Sequence, residues 1–175
     1  MTKGKKTKIV LDADVVIHFS KGEMLSLLPG IFPDYEFVLL KTVYEELNPL
    51  SEVRTQVDNQ ILFLKNITLL PFTPHGEMLR EYAKLKTRFG NGESACMAYC
   101  LFNHDVIGSS NVRDIRAYCE EHQITYLTTL DFLWYGWRKG LISAARAQDF
   151  ISKVRAKGSK LPEEDIEQYV CRSII

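Results

Sequence analysis

The sequence predicts a three-layer α/β/α domain, with helices on both faces of a mainly parallel five-stranded sheet. Two observations lead there. Short apolar runs without alternation, such as Ile9-Val10-Leu11, Phe37-Val38-Leu39-Leu40 and Val106-Ile107, read as strands buried on both faces. Those runs alternate with helical stretches, the pattern that right-handed crossovers between parallel strands require. A third observation sets the scale: 175 residues suffice for one well-buried domain, so residues 8–175 are read as one domain and residues 1–7 as a basic flexible tail.

Taken in order, the first strand stops on Asp12 and gives way to a helix over residues 15–19. A short helix over 23–28 is expected next, stopped by Pro29-Gly30. The second strand, residues 36–40, runs straight into a helical turn over 41–47 that Asn48-Pro49 closes, because a residue before proline is pushed out of helical geometry. Helical residues turn by about 100° each. With Val43 and Leu47 facing inward, Glu46 lies beside the buried stripe and Glu45 opposite it.

Residues 51–65 read as an amphipathic helix with Val53, Val57, Ile61, Leu62 and Leu64 as its apolar positions. The third strand, 67–70, ends at Pro71, and a charged helix over 75–89 is broken by Gly90-Asn91-Gly92. Residues 93–102 hold no polar side chain after Ser94, which predicts a helix buried all round with Glu93 in its first turn. A fourth strand over 105–110 feeds a helix over 111–119, and residues 124–128 form the fifth. Three further helices are expected over 130–138, 143–156 and 162–171, the last opened by Pro162.

Composition narrows the class. With 46% hydrophobic and 25% charged residues, the chain reads as a globular protein, and it has no run near the roughly 18 apolar residues that a membrane span needs. The start of the chain lacks the apolar core of a secretion signal, so a cytoplasmic protein is expected. Its four cysteines form no C-x-x-C pair and read as buried reduced thiols. A formal net charge of zero excludes broad nonspecific wrapping of nucleic acid. Any such contact must be local, at Lys3, Lys5, Lys6 and Lys8, at Arg80, Lys84, Lys86 and Arg88, or at Arg113 and Arg116. Each of these sets also reads simply as solvated charge on an exposed face. Trp134, Tyr135 and Trp137 could stack bases or serve as core.

The acids carry the chemistry. Parallel strands end on one side of the sheet, so Asp12, Asn111 and Asp114 share one rim, and Glu46 and Glu93 join them if their helices pack as the periodicity implies. Each alone reads as a helix cap or dipole partner. Together they demand compensation, since two carboxylates about 5 Å apart repel by roughly 3 kcal/mol even at an effective dielectric near 20. Oxygen-only donors suit Mg²⁺ or Mn²⁺ rather than zinc, and such sites support metal-assisted hydrolysis at phosphorus.

Four segments then resemble the signature segments of PIN-domain (PilT N-terminus) nucleases, which include the virulence-associated toxin ribonucleases. They are Ile9-Val10-Leu11-Asp12-Ala13-Asp14-Val15-Val16-Ile17, Val43-Tyr44-Glu45-Glu46-Leu47, Gly90-Asn91-Gly92-Glu93-Ser94-Ala95 and Ser109-Ser110-Asn111-Val112-Arg113-Asp114-Ile115. The region from Ile124 to Leu133, followed by Lys139-Gly140-Leu141-Ile142, is similar to the ending of an uncharacterised PIN branch. The resemblance implies the strand order 3-2-1-4-5 and an Mg²⁺- or Mn²⁺-dependent endoribonuclease. Its catalytic acids would be Asp12, Glu46, Glu93 and Asp114, with Asn111 added as a metal ligand and Ser109, Ser110, Arg113 and Arg116 toward the RNA. Asn111 departs from the acid that many members place there; its carbonyl can still coordinate, with one negative charge fewer. The toxin likeness further implies an antitoxin partner covering the rim and a homodimer using the helices after residue 130.

Two other readings stand beside this one. The Asp12-x-Asp14 pair after a strand resembles haloacid dehalogenase-like phosphatases, with Asp12 as nucleophile, Asp14 as general acid and Ser109 or Ser110 on the phosphate. That reading lacks a closing acidic pair, since only Asp131 follows the fifth strand. The other is a PIN-like module that binds RNA or a protein without cutting, which Asn111 and the neutral charge favour.

Overall fold

In the computed structural model, which describes residues 6–175, five strands form one sheet in the order β3-β2-β1-β4-β5, and every neighbouring pair is parallel. The strands are β1 (Lys8–Leu11), β2 (Glu36–Leu40), β3 (Thr68–Leu70), β4 (Val106–Gly108) and β5 (Tyr126–Leu127). The expected order therefore holds. The chain steps outward from β1 through β2 to β3, then returns to lay β4 on the other side of β1. That reversal puts the mouth of a crevice at the carboxyl ends of β1 and β4. Register brings Leu11 level with both Leu39 and Gly108, so Asp12 and Ser109 emerge side by side.

Helices flank the sheet. They are α1 (Ala13–Lys21), α2 (Leu28–Ile31), α3 (Lys41–Glu46), α4 (Ser51–Asp58), α5 (Gly76–Leu85), α6 (Asn91–Asn103), α7 (Val112–His122), α8 (Thr129–Arg138) and α9 (Ala144–Ala156). Packed against β1 and β2, α6 has α3, α5 and α7 around it, while α1, α8 and α9 pack with one another. Between the latter three, Phe19 meets Phe132 edge-on at 6.1 Å and Phe150 at 5.0 Å, all three rings fully buried. Among the described residues no helix is long and apolar enough to cross a membrane.

Several elements differ from expectation, each for a local reason. The helix expected over 23–28 is absent because α1 ends in a Schellman motif. Glu23 adopts the left-handed conformation (φ 59°), its N–H bonds to Ser20 O, and Met24 N–H bonds to Phe19 O. Helix resumes at Leu28 with Pro29 inside its first turn, where a missing N–H costs nothing. Residues 51–65 are not one α-helix: after Asp58 the chain widens into a π-helical turn, Asn59–Phe63. The extra residue rotates buried Gln60 inward and leaves Leu62, Phe63 and Leu64 exposed.

Gly90-Asn91-Gly92 is not a break throughout, since α6 begins at Asn91. Nor is that helix buried all round, because Phe102 faces solvent. The helix expected over 162–171 is replaced by irregular chain that Leu161, Ile166 and Tyr169 fasten to the body. Tyr169 Oη donates to Asp131 Oδ1 (2.8 Å), and Asp165 Oδ1 captures the Glu167 N–H (3.0 Å), a turn that competes with helix. Of the cysteines, Cys96, Cys100 and Cys119 are buried and Cys171 is partly exposed, all unpaired. Of the tail, residues 1–5 lie outside the described residues; the backbone carbonyl of Thr7 already accepts from Glu36 N–H (3.1 Å).

Truncating Phe19 to Ala removes the ring shared by α8 and α9 and is expected to cost about 3–5 kcal/mol. Gly22→Ala is expected to cost about 1–3 kcal/mol, because the added Cβ would run into the Phe150 ring. Urea unfolding midpoints with an unchanged denaturant slope check both.

Candidate functional site: an acidic cleft at the strand switch

Asp12 ends β1 and begins α1. Its backbone N–H bonds to Gly108 O (2.8 Å), continuing the sheet, while its Oδ1 accepts from Ala13 N–H (2.8 Å) as the helix cap. The other oxygen, Oδ2, accepts from the Ser109 hydroxyl (3.2 Å). Within the first turn of α1, Asp14 Oδ1 accepts from Val15 N–H (2.6 Å), and its Oδ2 takes Ser110 N–H (2.8 Å) and the Ser109 hydroxyl (3.4 Å). The two chain segments that leave β1 and β4 are thus laced together through two carboxylates.

Glu46 and Glu93 arrive from the other side. Glu46 Oε1 accepts the Gly92 N–H (2.7 Å) across 46 residues of chain. This contact explains the glycine: a Cβ at position 92 would fall 2.9 Å from the Glu46 carboxyl carbon. Glu45 instead turns to water and pairs with Lys41 (3.9 Å), as the helical periodicity implied. Glu93 in the first turn of α6 and Asp114 in the first turn of α7 are bridged by Asn111, whose amide nitrogen donates to Glu93 Oε1 (2.9 Å) and Asp114 Oδ2 (2.7 Å). Asp12, Asp14, Glu46, Glu93, Asn111 and Asp114 all line one open cleft of about 590 Å³.

Burial and mutual charge act on these acids in the same direction. Asp12 is raised well above the usual carboxylate range, by burial first and by the Asp14 charge next. Burial raises Asp14 to about 6, although the N–H groups of Val15 and Ser110 pull it back. Burial followed by the Asp114 charge lifts Glu93 to about 7. His18, one turn beyond Asp14, also lines the cleft. Burial lowers it to about 4, with Lys21 adding to the effect, and its Nδ1 pairs with Thr129 Oγ1 (2.9 Å). Thr129 Oγ1 in turn accepts from the Ser110 hydroxyl (2.7 Å), which links the imidazole to the Asp14 anchor.

The five carboxyl and amide positions expected on the rim, Asp12, Glu46, Glu93, Asn111 and Asp114, are brought together. Of the four residues expected to face RNA, Ser110 lines this cleft and Ser109, Arg113 and Arg116 do not. Ser109 is fully buried and its hydroxyl is spent on Asp12 and Asp14; Ser110 is held by Thr129 and Asp14. Both serve the acids rather than offering free hydroxyls. Arg113 is exposed and lies off the cleft wall, while Arg116 borders a different cleft with Tyr126, Asp131 and Arg172. Five lining residues lie outside the expected set: Ala13, Asp14, His18, Gly90 and Lys160, of which Asp14, His18 and Lys160 carry ionisable side chains. For Asp14 and His18 the signal was present, since positions 14 and 18 lie one helical turn apart after Asp12. Lys160 carries no such local pattern.

The donors fit a hard divalent cation in kind: five carboxylates and one amide, with no sulfur and a neutral imidazole at the margin. Their spacing is wider than a finished cage, for among the described residues no group of three or more His, Cys, Asp and Glu is drawn together tightly enough to hold an ion as it stands.

The pKa directions set a pH dependence. Asp14 and Glu93 keep protons when folded that the unfolded chain, with ordinary values of 3.8 and 4.5, has released. The folded form therefore binds more protons from about pH 4 to about pH 7, and stability falls as pH rises through that window. His18 acts oppositely, its contribution rising with pH between about 4 and its ordinary 6.5 and constant above. Melting temperature in EDTA should therefore decline from about pH 6.5 to 8, and Glu93→Gln should flatten that decline.

Compared with family models, with curated proteins and with solved structures, this chain matches none.

Proposed function

We propose that the chain is a divalent-metal-dependent endoribonuclease that hydrolyses phosphodiester bonds in the acidic cleft. The observation that supports this most is the convergence of five carboxylates from four separate elements on one open cleft at the strand switch, three of them raised in pKa. Such a concentration of charge is costly for stability and earns its place only where a cation is to be held. Asp12, Asp14, Glu46, Glu93 and Asp114 would hold Mg²⁺ or Mn²⁺, with Asn111 available through its carbonyl. When bound, such an ion would supply Lewis acidity at phosphorus and would lower the pKa of an attacking water.

The chain's own groups do the positioning. Ser109 and the Ser110 N–H fix Asp12 and Asp14, and the Gly92 N–H aims Glu46. The Asn111 amide sets the distance between Glu93 and Asp114. The phosphatase reading has less support, because the acid that directly follows β5 is already committed. Asp131 is 3% exposed, closes the α8 capping box with Thr128 and accepts from Tyr169.

Purified protein incubated with a mixed-sequence end-labelled RNA pool should cut it in Mn²⁺ and not in EDTA, and Asp12→Asn should abolish scission. Gly92→Ala, which displaces Glu46 without removing a carboxylate, should lower the rate by about 10- to 100-fold. Mn²⁺ should also raise the melting temperature more at pH 8 than at pH 6, since the ion competes with protons for the same oxygens. RNA bound tightly without scission in any metal would favour the non-cutting module instead.

A further inference from the structure

Among the side chains lining the acidic cleft, one carries a standing positive charge: Lys160. It belongs to no helix or strand, and follows α9 in a strap over residues 157–161. That strap is held on both sides of Lys160. Lys21 Nζ, at the end of α1, donates to Lys157 O and to Ser159 Oγ (both 2.9 Å), and Lys157 Nζ returns a bond to Lys21 O (3.0 Å). Gly158 makes the turn at φ 81°, and Ser159 N–H bonds back to Val154 O (3.2 Å). On the far side Leu161 is buried, and its carbonyl accepts from Arg155 Nη1 (2.8 Å).

The backbone around Lys160 is thus fixed while its own side chain is exposed and enters no ion pair among the described residues. The rim acids nearby are met by N–H, hydroxyl and amide donors, not by this ammonium. A cation held at the mouth of an acidic site, yet not used to neutralise it, is placed to meet negative charge arriving from outside. A second cleft of about 620 Å³ shares Lys160 and continues along Gly158, Ser159 and Pro162, giving a chain that leaves the acids a surface to follow.

We infer that Lys160 contacts a backbone phosphate of an RNA strand that crosses the acidic cleft and runs on over the 157–161 strap. The inference rests on the nuclease reading above and adds to it a polarity-setting subsite: the acids take the scissile phosphate and Lys160 a neighbouring one. Lys160 is a positioning residue in this account, and Lys21 holds it in place.

The test uses the full chain and a short fluorescein-labelled single-stranded RNA, with binding read by anisotropy over a salt series and cleavage followed in Mn²⁺. Lys160→Gln is expected to raise Kd and KM by about 5- to 10-fold, and to flatten the log Kd against log salt slope by about 0.7, with kcat changed by less than about 2-fold. Lys160→Arg is expected to restore both, and Lys21→Met to raise KM by a smaller factor by loosening the strap. Wild-type cleavage with a Gln variant matching it in KM and salt slope would overturn the subsite and leave the nuclease reading standing. An Arg variant as impaired as the Gln variant, with both melting lower, would make the strap merely structural and also overturn it. Wild-type protein that neither binds nor cuts the RNA would overturn the nuclease reading itself and the subsite with it.

Discussion

The arrangement turns on the burial of Asp12. A carboxylate only 6% exposed at the end of the central strand loses its hydration, and this is tolerable only when donors replace water. One donor is the Ala13 N–H, which requires a helix to start immediately after β1. The other is the Ser109 hydroxyl, which requires β4 to lie directly beside β1 and in this register. The strand-order reversal and the acidic cleft are therefore one arrangement seen at two scales. Shifting β4 by a single residue would point Ser109 to the opposite face of the sheet and leave Asp12 without its second partner.

Much of this was legible in the sequence because it follows from periodicity. The first, second and fourth strands announce themselves by unbroken apolar runs, and the shared carboxyl edge of parallel strands places Asp12, Asn111 and Asp114 on one rim, whereas the reversal in strand order is what the resemblance to PIN-domain nucleases implies. Glu46 could be told from Glu45 by a rotation of 100° per residue. What escaped was set by contacts between distant segments. Gly92 looked like a helix breaker and proved to be the gap through which Glu46 reaches the cleft. Pro162 has the look of a helix start, yet the chain after it is irregular, tied to α8 by the Tyr169–Asp131 hydrogen bond and anchored by buried Ile166. The π-helical turn at Asn59–Phe63 has no signature in hydrophobic spacing, and Leu62 and Leu64 accordingly fell on the wrong side. The sequence gives no sign that the Ser109 hydroxyl is taken by Asp12 and Asp14 and the Ser110 hydroxyl by Thr129.

The neutral net charge and the concentration of acids on one rim are compatible because, Lys160 apart, the described basic residues are placed outside the cleft lining. Lys153 and Lys157 are engaged with Glu23, Arg54 with Asp58 and Tyr44, and Lys139 with the Ile31 carbonyl and the Phe32 ring. They brace helix ends and loops. The cleft therefore keeps its negative field although the molecule as a whole has none, and that field falls off within about 10 Å at moderate salt.

Asn111 does something that a carboxylate in its place could not. A carboxylate there would only accept hydrogen bonds, and would add a third negative charge between Glu93 and Asp114. An amide has a donor end and an acceptor end of nearly equal shape, and half a turn about its last side-chain bond exchanges them. In the arrangement described, the nitrogen end faces both acids. The reverse orientation would offer them an oxygen in the same place, with no change in volume, backbone or net charge. Position 111 is thus a reversible coupling in the rim: it can bind the two acids to each other or join them in binding something else.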